Sequence, residues 1–117
     1  MSFDFLSVDE VLELHRLQLE RYGGAPGLRD LGLLESAVAQ PAATFEAEYL
    51  HDGLYPMAAA YLFPLVKNHP LVDANHRTGL VAALVFLELN GVSIGHGSEE
   101  LYALTIGVAE GQVCGRR

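Results

Sequence analysis

An all-α fold follows from three features of the 117-residue chain. Apolar residues recur at helical spacing in successive segments, and no alternating run is long enough for a convincing sheet. The stretch Asn75–Leu89 is apolar on nearly every side, through Leu80, Val81, Ala83, Leu84, Val85, Phe86 and Leu87. That pattern marks a buried central helix with a bundle packed around it. A single domain is expected over residues 1–117, a length that can bury one hydrophobic core.

Taken in order, the first helix runs from Ser7 to about Tyr22. Ser7 with Glu10 three residues on is a capping box, and Val8, Val11, Leu12, His15 and Leu19 form one stripe. Gly23-Gly24-Ala25-Pro26-Gly27 stops it. The second helix spans about Asp30 to Gln40, with Leu31, Leu34, Ala37 and Val38 inward, and Pro41 ends it. Pro41–Tyr55 has no clean period and mixes polar residues with Phe45, Tyr49, His51 and Tyr55, so it reads as an irregular arm of the kind that contacts partners. Pro56–Asn68 is the third helix, with Pro56 in its first turn. Pro64 predicts a kink or an interruption there. After Asn75–Leu89, Asn90-Gly91 is a stop. A final helix is expected over Ser98–Glu110, capped by Ser98, with Leu101, Leu104 and Val108 inward, before a frayed end.

Half of the residues are apolar and charged ones are sparse, so the chain is expected to fold. The net charge of −8 argues against non-specific nucleic-acid binding. Ten acidic residues face three arginines through Asp52, whereas five face four basic residues from Gly53 onward, so an anionic ligand suits the second half better. Cys114 is the only cysteine, which excludes an intrachain disulfide and fits a reducing cytoplasm. Neither a signal peptide nor a membrane-spanning run is expected.

The chemistry concentrates in Asn68-His69-Pro70-Leu71-Val72-Asp73-Ala74-Asn75-His76-Arg77-Thr78. Helix starts carry unpaired N–H groups and the positive end of the macrodipole, and so seat phosphate. A carboxylate there can hold Mg²⁺, and a histidine can take a proton from a hydroxyl. Each residue alone has a plainer role. His69 can be the C-terminal cation of the preceding helix, Asp73 an N-cap, Asn75 a turn residue, and Arg77 a solvated side chain, with Leu71 and Val72 in the core. A packing-only helix start needs one cap, however, not four polar groups. A metal site of His69, Asp73 and His76 at i, i+4 and i+7 would need one continuous helix, which Pro70 opposes.

The segment from His69 to Arg77 resembles the Fic/Doc signature: His, any residue, Phe, any residue, Asp or Glu, Gly or Ala, Asn, Gly or Lys, Arg. The likeness is closest to the Doc (death-on-curing) branch. It extends to Val11–His15, Arg21–Gly27 and Arg29-Asp30 before the motif, and to Ala82–Gly91 and Leu104–Gly111 after it. The resemblance implies an all-α Fic/Doc-like bundle that transfers part of ATP to a protein hydroxyl. His69 would be the catalytic base, Asp73 the Mg²⁺ ligand, and Asn75, His76, Arg77 and the helix-start N–H groups the nucleotide-phosphate site. Most Fic proteins transfer AMP. The Doc branch instead acts as a kinase on a threonine of elongation factor Tu, halts translation, and is neutralised by a Phd-like antitoxin. The arm Pro41–Tyr55 sits where the family's target-docking flap would lie.

The departures are informative. His76 stands where AMP-transferring members have Gly and Doc has Lys; Gly admits close backbone approach and Lys supplies a fixed cation. The absence of Gly favours the kinase orientation, with AMP transfer as the alternative. Leu71 replaces the usual Phe. The family's closing C-terminal helix is expected to be short or missing, and with His76 this leaves a third reading, a degenerate member that binds without turnover.

Overall fold

The structure is a computed structural model and describes residues 3–92. The helix expected over Ser98–Glu110 and the end of the chain lie outside that range. The described residues form α1 (Val8–Tyr22), α2 (Leu31–Ala39), a 3-10 turn (Gln40–Ala42), the short strands β1 (Thr44–Phe45) and β2 (Glu48–Tyr49), α3 (Leu54–Asn68) and α4 (Asn75–Leu89). The all-α expectation therefore holds, with one small hairpin added.

The expected capping box starts α1. The Ser7 hydroxyl accepts the Glu10 N–H at 3.1 Å, and the Glu10 carboxylate accepts the Ser7 N–H at 2.8 Å. That reciprocity draws Glu10 inward and turns the helix. Its buried face is Glu10, Val11, Leu14, His15 and Gln18, while Val8, Leu12 and Leu19 of the expected stripe are only half-buried. In α2, Asp30 is the N-cap and accepts the Leu33 N–H at 3.0 Å. Leu34, Ala37 and Val38 are buried as expected, but Leu31, in the first turn, remains 49 % exposed. Pro41 does not follow the helix directly; it sits within the 3-10 turn that tightens its end.

The arm 41–55 was expected to be irregular. It contains the antiparallel pair Thr44↔Tyr49 and Phe45↔Glu48, closed by Glu46 (φ 51°) and Ala47 (φ 70°). Two positive φ values match the twist of a tight hairpin, a role that sequences usually signal with Asn-Gly. Glu-Ala gives no such signal, which is why the hairpin is invisible in the sequence. Tyr49 is packed on Phe3 and Phe5, and Phe5 stacks on Phe86 with ring centroids 5.6 Å apart.

Helices α3 and α4 form the central pair. α3 runs without interruption through Pro64, starting two residues before the expected Pro56. Buried residues of the pair include Met57, Tyr61, Leu65, Ala82, Val85 and Phe86. The Tyr61 hydroxyl accepts the Leu6 N–H at 2.8 Å, which ties the N-terminal segment onto the core. Leu80, expected inside, is 43 % exposed. Gly79 sits at a close approach of the two helices, since a Cβ there would lie 3.2 Å from Leu62 Cα and 2.9 Å from Leu62 Cδ1. A Gly79→Leu substitution should therefore force the central pair apart and cost roughly 1–3 kcal/mol or more, read as a lower urea midpoint with an unchanged m-value.

Candidate functional site

The site is built where the chain passes from α3 to α4. His69 leaves α3 in the left-handed conformation, φ 48° and ψ 58°. For a residue with a Cβ this costs roughly 1–2 kcal/mol. Residues distant in sequence hold it there. The Arg29 guanidinium donates to the carbonyls of Asn68 and His69, satisfying the end of α3 and complementing its dipole. Arg29 is thus a cation bound to that helix end, alongside Lys67 in its last turn. The N–H groups of Arg29 and Asp30 both donate to the Pro70 carbonyl, at 2.7 and 2.9 Å, and Val72 N–H donates to Gly27 O at 3.0 Å. Leu28 faces Leu71 in this antiparallel strap. Side chains alternate along an extended segment. Leu71 therefore enters the core, while Val72, expected beside it, is 52 % exposed. The His69 side chain is exposed.

Ala74 then enters α4, also left-handed (φ 63°), as an N-cap with no side-chain hydrogen bond. The first helical bond is from Thr78 N–H to Ala74 O at 2.9 Å. The N–H groups of Asn75, His76 and Arg77 lie ahead of that ladder, at the positive end of the dipole. Asp73 is not the N-cap that its plainer reading suggested. One carboxylate oxygen accepts the Ala74 N–H at 2.8 Å and the other accepts the Ala25 N–H at 3.0 Å. These two bonds, first from Ala25 and then from Ala74, hold the carboxyl below the ordinary Asp range against partial desolvation, with help from the charges of Arg77 and His15. Asp73 is thus an ionised, exposed carboxylate whose oxygens each keep a free lone pair.

Arg77 reaches back beside it and donates to Gly23 O at 2.8 Å. Gly24 lies between strap and site with φ +130°. A Cβ there would come within 2.8 Å of Leu19 Cδ2 and 3.1 Å of both Arg77 Nη2 and Asp73 Oδ2. Only glycine accommodates that approach. His76 is exposed on the first turn of α4. Ionised Asp73 and Arg77 lie together at the uncapped start of α4, a set suited to binding a metal-complexed phosphate, and His69 is exposed at the end of α3, where an imidazole could take up a proton. Mg²⁺ commonly takes one or two carboxylates and completes its shell with phosphate and water, so a lone Asp73 fits that mode. The all-protein metal site does not form. His69, Asp73 and His76 are divided between a loop and a helix, and no group of three or more His, Cys, Asp or Glu able to hold a metal exists among the described residues.

Asn75 departs from its expected use. Its carboxamide is buried, accepting the Leu71 N–H at 3.0 Å and donating to the Leu71 carbonyl at 2.9 Å. The side chain braces the loop, and the Asn75 main-chain N–H lies at the helix start. Arg29, Gly24 and His15 were not expected in the site. His15 showed in the sequence as a polar residue on an apolar stripe, and Gly24 and Arg29 as parts of the segments Arg21–Gly27 and Arg29-Asp30 that carry the family resemblance. Replacing Asn75 by Ala should leave both Leu71 backbone groups unsatisfied and cost roughly 2–4 kcal/mol in denaturant unfolding, where a solvent-facing Asn would cost less than about 0.5.

A model of the Fic/DOC family matches residues 5–87, from before α1 to near the end of α4. The chain is 39% identical over 108 residues to "Protein kinase doc" of Escherichia phage P1, covering 92% of this chain and 84% of that protein. It is 47% identical over 73 residues to "Toxin Doc" of Mycolicibacterium smegmatis, covering 62% of this chain and 56% of that protein. The chain belongs to the Fic/DOC family.

Proposed function

We propose that this chain is a Doc-like toxin, a Mg²⁺- and ATP-dependent protein kinase that phosphorylates a threonine hydroxyl of a translation factor such as elongation factor Tu in the cytoplasm. The observation that carries the reading is the pairing of ionised Asp73 with Arg77 at the uncapped start of α4, with His69 exposed at the end of α3 just ahead of it. The two relatives, one named a protein kinase and the other a toxin, support it.

In this reading His69 is the general base. Its imidazole accepts the hydroxyl proton as the target oxygen bonds to the γ-phosphorus and the bond to the departing ADP oxygen breaks. Asp73 is the protein ligand for Mg²⁺, which when bound neutralises phosphate charge. Arg77 and the N–H groups of Asn75 and His76 bind phosphate oxygens. His76 keeps a side chain where close backbone approach would need Gly, which favours transfer of the γ-phosphate over transfer of AMP. The hairpin Thr44–Tyr49, with exposed Phe45 and Leu50 beside it, is the surface for docking the target. A Phd-like antitoxin is the expected inhibitor. No helix among the described residues is long and apolar enough to cross a membrane.

The test uses the purified chain, Mg²⁺, elongation factor Tu and ATP labelled at either the α or the γ position. Label is expected from γ alone, and His69→Ala should abolish transfer while ATP binding persists. Label from α alone would replace the kinase reading with AMP transfer. Nucleotide binding without label from either position would favour the non-catalytic reading or another target, and a panel of translation factors separates those two.

A further inference from the structure

His15 is a buried polar group for which the proposed chemistry has no use. It lies on the inner face of α1, 5 % exposed, between Val11 and Gln18. Its Nε2 is 2.9 Å from the carbonyl oxygen of Asp73, a residue fifty-eight positions away. A carbonyl is only an acceptor, so Nε2 carries the proton and donates.

The bond matters because of which carbonyl it holds. The α4 ladder begins with Ala74 O, so Asp73 O lies outside it and receives no helical bond. This carbonyl and the Ala74 N–H belong to one peptide group. The N–H end is bound by the Asp73 carboxylate at 2.8 Å, and the C=O end by His15. That peptide leads into Ala74, whose left-handed conformation a residue with a Cβ adopts only when its surroundings impose it. Orientation of the peptide sets the direction of the Asp73 side chain, because the carboxylate is bonded to the peptide's own N–H.

We propose that His15 is a positioning residue that pins the Asp73–Ala74 peptide and so aims the Asp73 carboxylate at the metal–phosphate position. The inference rests on the reading of Asp73 as the Mg²⁺ ligand. Glutamine can place an amide N–H close to where histidine places Nε2–H, so His15→Gln keeps the donor. His15→Leu keeps the apolar packing and removes the donor, and His15→Met serves in its place should the leucine variant fail to fold.

Two readouts on the full chain decide the matter. The first is amide hydrogen exchange at Ala74, measured by NMR. The second is ATP affinity with and without Mg²⁺, measured by titration calorimetry, with Asp73→Asn as comparator. His15→Leu should exchange Ala74 about tenfold faster and lose about tenfold of the Mg²⁺-dependent gain in ATP affinity, with metal-free ATP affinity unchanged, as expected for one hydrogen bond. His15→Gln should restore both. A leucine variant that matches wild type in both readouts, or a glutamine variant as impaired as leucine, would overturn the proposal. If Asp73→Asn keeps the full Mg²⁺ gain, the metal-ligand reading itself fails and the proposed aiming of a metal ligand falls with it. Loss in Asp73→Asn without loss in His15→Leu refutes the role of His15 alone.

Discussion

The chain leaves one helix and enters the next through two left-handed residues, His69 and Ala74, and neither is a glycine. Left-handed backbone at such residues persists only where neighbours over-determine it. Here the neighbours come from the first thirty residues. Arg29 binds the carbonyls at the end of α3, the strap Gly27–Asp30 lies along Pro70–Val72, Ala25 binds the Asp73 carboxylate, and His15 binds the Asp73 carbonyl. Asn75 closes the loop from within through Leu71. Remove that frame and nothing local would keep His69 and Ala74 in the left-handed conformation.

The same turn explains why the helix start stays open. Ser, Thr, Asp or Asn at an N-cap would bond the first free N–H groups of the helix. Ala74 cannot, and Asp73, one residue earlier, spends its oxygens on Ala74 and Ala25 instead. The result is a set of free N–H groups at the positive end of a helix dipole, in a chain of net charge −8. Backbone N–H groups and the Arg77 guanidinium meet there. That is consistent with a compact anion, and poorly suited to a nucleic-acid backbone.

Stability and site share their supports. α3 and α4 pack closely through Gly79, and the ends of those two helices are the edges of the site. Tyr61 and Phe86 anchor the pair to the N-terminal segment, which carries Phe3 and Phe5 against the hairpin residue Tyr49. The hairpin is therefore fastened to the core on one side while Phe45 faces outward on the other.

Local signals were legible in the sequence wherever physics acts over a few residues. The capping box at Ser7, the Asp30 and Pro41 boundaries of α2, the apolar α4 and the Asn90-Gly91 stop follow from spacing and intrinsic preference, and the motif from His69 to Arg77 stands out by composition. Tertiary structure decided what those signals leave open. Glu10 turned the α1 face inward through its cap, Val72 went to solvent because its extended neighbour Leu71 took the core, and Glu46-Ala47 adopted a turn that its residue types do not advertise. Asn75 was assigned to the loop, and Arg29 and His15 to the site, by contacts spanning up to fifty-eight residues. The physical reason is common to all of them. Helix propensity and capping depend on neighbours along the chain, whereas the direction of a carboxylate or the survival of a strained φ depends on which distant donor the folded chain delivers to it.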